Sequence, residues 1–182
     1  MIRVVILLFG AVLLLGCGQR ESGEDAAKSA LSAATGFEAQ PVEVVDAQGV
    51  AQLIAQRDGK VLFLNLWATY CQPCVEEFPD IVKLADEMSG SDVEFVAISF
   101  DYPDEVESLI QPFLQDNKVT FRVLVADVED PDEFVNALDP QWNGALPTTI
   151  MYDENGKRQS FLVGKRTYEV FKKELAKARQ SG

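Results

Sequence analysis

The sequence predicts an α/β domain in which a central mixed β-sheet carries helices on both faces. Three observations lead there. Strand-like apolar runs alternate with helical periodicities, one run from Val61 to Trp67 is nearly all apolar, and the last two strand candidates bracket Asn155-Gly156, a strong hairpin signal.

Val42 to Val45 opens the domain as a short strand, and Val50 to Gln56 follows as a helix with Val50, Leu53 and Ile54 on one face, ended by Asp58-Gly59. Val61-Leu62-Phe63-Leu64-Asn65-Leu66-Trp67 reads as a central strand covered on both sides. The Cys-Gln-Pro-Cys segment then leads a helix running to Met88, with Phe78, Ile81, Val82, Leu84 and Ala85 on its buried side. Val93 to Phe100 is a second buried strand, Asp104 to Asn117 a helix, Phe121 to Val125 a strand and Glu133 to Leu138 a short helix. Thr148 to Tyr152 and Gln159 to Val163 form the hairpin, and a helix from Tyr168 to about Arg179 closes the chain.

The chain has 182 residues, 47% of them hydrophobic and 25% charged. The length allows one domain, with a core large enough to fold without disulfide staples or structural metals. Formal net charge is -13, which disfavours nucleic acid and anionic lipid as partners. Acidic surfaces also promote solubility, so the overall charge by itself assigns no basic partner. Histidine is absent, which removes the usual general base and the usual metal ligand, and with them serine-type triads and histidine-zinc centres. Any chemistry falls to thiols, carboxylates or a cofactor, and no particular cofactor is called for.

Met-Ile-Arg precedes an apolar run from Val4 to Leu15, too short to span a bilayer comfortably but suited to a secretory leader. Leu14-Leu15-Gly16-Cys17 resembles the bacterial lipobox, which implies cleavage after Gly16, a lipid on Cys17 and a domain outside the cytoplasm. An ordinary signal peptide or a retained signal anchor are the alternatives, and both place the domain on the same side of the membrane. Residues 1–16 are then the leader, 17–40 a lipidated N-terminus and flexible tether, and 41–182 the domain. The tether is rich in Ala, Ser, Gly and Glu and has no sustained apolar face.

Two cysteines two residues apart can close a small ring. When the first begins a helix its thiolate meets the positive end of the helix dipole. That expectation makes Cys71 the attacking thiolate and Cys74, one turn inside, the resolving one. Pro73 suits a helix start, where its missing amide donor is of no consequence. An inert structural disulfide and half of a zinc site are the competing readings, and zinc lacks the further ligands it needs.

The segment Trp67-Ala68-Thr69-Tyr70-Cys71-Gln72-Pro73-Cys74-Val75-Glu76-Glu77-Phe78-Pro79 resembles the active-site signature of thioredoxin-like proteins, and more narrowly the membrane-anchored TlpA/ResA type. Gly144-Ala145-Leu146-Pro147-Thr148-Thr149 is similar to that family's cis-proline loop. The resemblance covers about residues 42 to 180. It implies a thioredoxin-like fold and a thiol-disulfide oxidoreductase, with Trp67, Tyr70, Leu146 and Pro147 contacting the substrate.

The resemblance also assigns Glu77 the place of an acidic residue that tunes the thiols or moves a proton, the alternative being a solvated helix charge. Two departures stand out. Tyr70 replaces the usual tryptophan before the first cysteine, and Asn65 sits where thioredoxin carries a buried aspartate. The absence of histidine between the cysteines favours a reductase over an oxidase or isomerase. The implied partners are exported protein thiols or disulfides, apocytochrome c among them, with a membrane electron donor for re-reduction. A copper-binding module of the Sco type is disfavoured, because it uses wider cysteine spacing and a histidine. A peroxiredoxin is disfavoured because Ala68-Thr69-Tyr70 lacks a proline-threonine arrangement. The Asp127 to Glu133 cluster reads as a solvated acidic loop and Trp142 as a packing residue.

Overall fold

The computed structural model describes residues 39–181. The leader, Cys17 and all but the last two residues of the expected tether lie outside the described residues. Ala39 and Gln40, assigned to the tether from sequence, belong with the domain. Ala39 is buried, and the Gln40 carbonyl accepts a hydrogen bond from Gln111 Nε2 at 3.2 Å.

The elements run β1 (Glu43–Val45), α1 (Ala47–Ala55), β2 (Val61–Trp67), α2 (Gln72–Glu87), β3 (Val93–Ser99), a helical passage over 103–116 that ends in α3 (Gln111–Asp116), β4 (Arg122–Ala126), α4 (Pro131–Leu138), β5 (Thr148–Tyr152), β6 (Arg158–Val163) and α5 (Tyr168–Arg179). They form one mixed sheet in the order β1-β4-β3-β2-β5-β6. The first four neighbours pair in parallel and the last two pairings are antiparallel.

Strand β2 is central and buried at every residue. Its alternation sends Leu62, Leu64 and Leu66 to the face covered by α1 and α4, where Val50, Phe134 and Trp142 meet them. Phe63 points to the other face with Ile81, Phe95 and Phe171, and Trp67 joins Phe78 and Cys74 there. Helix α1 starts three residues earlier than the apolar periodicity indicates, because Asp46 caps it by accepting from Gly49 N at 2.7 Å.

The expected helix from Asp104 to Asn117 is a 3₁₀ turn over Pro103–Glu105, a π-turn over Val106–Ile110 and only then α3. Pro112 has no amide proton to donate one turn back, and the wider π-turn absorbs that loss, with Gln111 N donating to Val106 O.

Arg57 closes the far end of β3, with a side chain only 2% exposed and paired to Glu94, while its Nε and Nη1 have no partner. Burial pulls the guanidinium pKa down, and Glu94 opposes that shift. Glu94→Gln therefore strands a buried cation and is expected to cost about 2 kcal/mol in urea unfolding, and adding Arg57→Met should recover at least half of that loss. Equal stability of wild type and Glu94→Gln would show that the pair does not hold this corner.

Candidate active site

The C-terminal end of β2 delivers the chain through the three-residue link Ala68-Thr69-Tyr70 to α2, so Cys71 stands as the N-cap of that helix. Its carbonyl accepts from Cys74 N at 2.9 Å and Val75 N at 3.1 Å, which closes the first turn, and Pro73 lies within that turn. Cys71 and Cys74 form a disulfide with their Cα atoms 5.2 Å apart. The two sulfurs are unequally placed: Cys71 is partly exposed, whereas Cys74 is fully buried.

Glu77 is buried, with 1% exposure, and is not a solvated helix charge. It shares a helix face with Cys74, three positions away. Asn65 Nδ2 donates to its Oε1 at 3.1 Å, and Arg166 N donates to its Oε2 at 2.8 Å. Burial pushes its pKa up to about 7, against the opposing pull of those donors and of the Arg166 and Lys165 charges. Such a carboxyl exchanges its proton near neutral pH, in a site without histidine. Glu76 faces outward and pairs with Lys165 at 2.6 Å, which holds its pKa below the ordinary value.

The Leu146–Pro147 peptide is cis. Leu146 packs partly buried against the Trp67 and Cys74 cluster, and Pro147 O accepts from Gly164 N at 2.7 Å. The 164–166 segment thus joins the proline loop to Glu77.

Trp67 needs correction as a substrate contact. It is fully buried, between Phe78 and Phe113 at ring-centroid distances of 4.5 and 4.8 Å, and so supports the site from beneath. Tyr70, directly before Cys71, is exposed, at 72%. Trp142 is packing, as expected, and donates from Nε1 to Ala145 O at 3.0 Å.

Sequence reasoning missed Asp101. Buried at the end of β3, its carboxylate accepts from Thr69 N at 2.9 Å, from Thr69 Oγ1 at 2.6 Å and from Ser99 Oγ. It fixes the link before Cys71. Its place at the carboxyl end of a strand beside β2 was the available signal. Nothing in the sequence marked Gly164 or Arg166.

Residues 32–160 match the AhpC/TSA family. The chain belongs to that family. It is 30% identical over 142 residues to the thiol-disulfide oxidoreductase ResA of Geobacillus thermodenitrificans, a match spanning 78% of this chain and 76% of the relative. It is 32% identical over 112 residues to ResA of Halalkalibacterium halodurans, where the match spans 62% of this chain and 58% of the relative. Among solved structures, a thiol:disulfide interchange protein of the thioredoxin family from Chlorobium tepidum TLS superposes with a TM-score of 0.58 at 24% identity, covering 68% of this chain and 83% of the other. That likeness establishes a thioredoxin-like fold, and the ResA relatives make the chain a redox enzyme of the thiol-disulfide oxidoreductase type.

Proposed function

We propose that the chain reduces disulfides of exported proteins through Cys71 and Cys74. The unequal exposure of the two sulfurs at the start of α2 carries this reading. In the reduced enzyme the Cys71 thiolate attacks one sulfur of the client disulfide, forming a mixed disulfide and releasing a client thiolate. Cys74 loses its proton, with Glu77 as the receiving group, and its thiolate attacks the Cys71 sulfur. The enzyme disulfide forms, the second client thiolate leaves and takes up a proton, and two electrons have passed to the client. A membrane electron donor restores the dithiol.

Leu146 and Pro147 present the loop backbone along which an extended client segment lies, and Tyr70 borders it. Residues 1–16 form the leader, Cys17 carries the lipid and residues 18–38 lead to the domain, which holds the enzyme on the outer side of a bacterial membrane. Among the described residues no helix is long and apolar enough to cross one. Apocytochrome c is a client class consistent with a ResA-like site.

Reduction potential tests the direction. Titrated against defined thiol buffers with Trp67 fluorescence as the signal, the couple is expected near thioredoxin's value, about -270 mV. A value near about -120 mV reverses the direction and makes the protein a disulfide donor.

A further inference from the structure

Beside the cysteine pair, Tyr70 and Tyr102 are 72% and 73% exposed, and Val128 is 40% exposed. With Phe100, Pro103, Asp101 and Asp127 they line an open cavity of about 350 Å³. Rings left in water next to a reacting group mark a surface that something covers.

The charge around this cavity is one-sided. The two segments that bound it, residues 101–107 and 127–133, contain nine Asp or Glu and no Lys or Arg, and of the nine Asp101 and Asp127 line the cavity itself. Among the described residues none of these nine carboxylates takes part in an ion pair. Asp101 is met only by neutral donors from Thr69 and Ser99. Across the cysteines the arrangement differs. There Lys165 pairs with Glu76, and the Arg166 guanidinium donates to the carbonyls of Val163, Gly164 and Lys165.

An acidic chain as a whole singles out no partner, but unpaired carboxylates around two exposed phenol rings do. A cation with a long apolar stem satisfies both features, because its head group sits over the ring faces and near the carboxylates while its methylenes cover apolar surface. A purely apolar occupant leaves the carboxylates uncompensated, and an acidic one meets repulsion.

We propose that the groove between Tyr70 and Tyr102 docks a basic segment of the client polypeptide beside its reacting cysteine. The inference rests on the thiol-disulfide reading and narrows its clients to those with Lys or Arg near that cysteine.

The test uses the oxidised full chain and three peptides that carry Ser in place of the client cysteine and differ only in basic, neutral or acidic flanks. Calorimetry is expected to show the basic peptide binding roughly tenfold tighter than the others at about 20 mM salt, with the preference falling below about threefold at 0.5 M. Tyr102→Ala and Asp127→Asn should each lose most of that preference, whereas Glu154→Gln, an equal loss of charge in the hairpin turn, should keep it. Equal binding of the three peptides overturns the proposal, and so does a preference that survives both groove substitutions. Equal binding of basic and neutral peptides that is lost in Tyr102→Ala assigns an apolar occupant instead. Turnover of hydroxyethyl disulfide, small and uncharged, is measured separately. If that fails while the basic peptide still binds, the reductase reading falls and the groove stands.

Discussion

Cys71→Ser is expected to reduce turnover of a protein disulfide by at least about 10³-fold, because it removes the attacking sulfur and leaves nothing at the helix start to replace it. Cys74→Ser should behave differently. Cys71 remains partly exposed at the N-cap of α2 and still attacks, but the buried partner that expels the client is gone. The mixed disulfide then accumulates, visible as a client-sized mass increase under non-reducing conditions and absent after dithiothreitol. Both variants should fold, since serine is close to cysteine in size and the disulfide spans a separation of only three residues inside an already closed helical turn. A trapped adduct in Cys71→Ser and none in Cys74→Ser would exchange the two roles. Equal activity of wild type and both variants would remove the pair from the chemistry.

The mixed sheet was legible in the sequence because β2 is nearly all apolar, strand and helix signals alternate along the chain, and the terminal turn carries Asn155-Gly156. Those signals are local, and β2, β5 and α5 coincide with the expected spans. The 103–116 passage was not legible in detail, since helical periodicity says nothing about how a proline in its middle is accommodated.

The cysteine pair was legible for the same local reason, with the two residues three positions apart on one helix turn. The remainder of the site is assembled from distant segments. Glu77 is made unusual by Asn65 on β2 and Arg166 after β6, and no spacing in the chain announces that the 164–166 segment will meet both Glu77 and Pro147. Trp67 failed as a substrate contact because its position next to the motif does not reveal which face of β2 it occupies. Asp101 lies thirty residues from Cys71 in sequence and reaches the active-site link through strand pairing alone, since Trp67 and Ser99 are register partners.

The pH dependence of stability should report Glu77 directly. Its carboxyl has an ordinary pKa of 4.5 and is raised to about 7 in the folded protein, chiefly by burial. Below pH 4.5 the group is protonated in both states. Between 4.5 and about 7 the unfolded chain releases the proton while the folded chain keeps it, so rising pH favours unfolding. Above about 8 both states are ionised and the contribution levels off. The stability present at low pH is thus lost as pH rises through the folded value, by up to about 3 kcal/mol. Other groups titrate in the same window, and Glu77→Gln isolates this one: its amide keeps an acceptor for Arg166 N and carries no ionisable proton.

Urea unfolding of both proteins at pH 4.5, 6 and 8 should show wild type losing stability relative to Glu77→Gln across the series, with roughly half of the change on each side of pH 6. Parallel curves would mean that the carboxylate is ionised throughout, held by Arg166 N and Asn65 as an ordinary buried anion. The proton accepted from Cys74 would then need another carrier. A slope of the expected size places a group that gains and loses its proton near neutrality on the same helix face as Cys74, where proton transfer is most effective at the working pH.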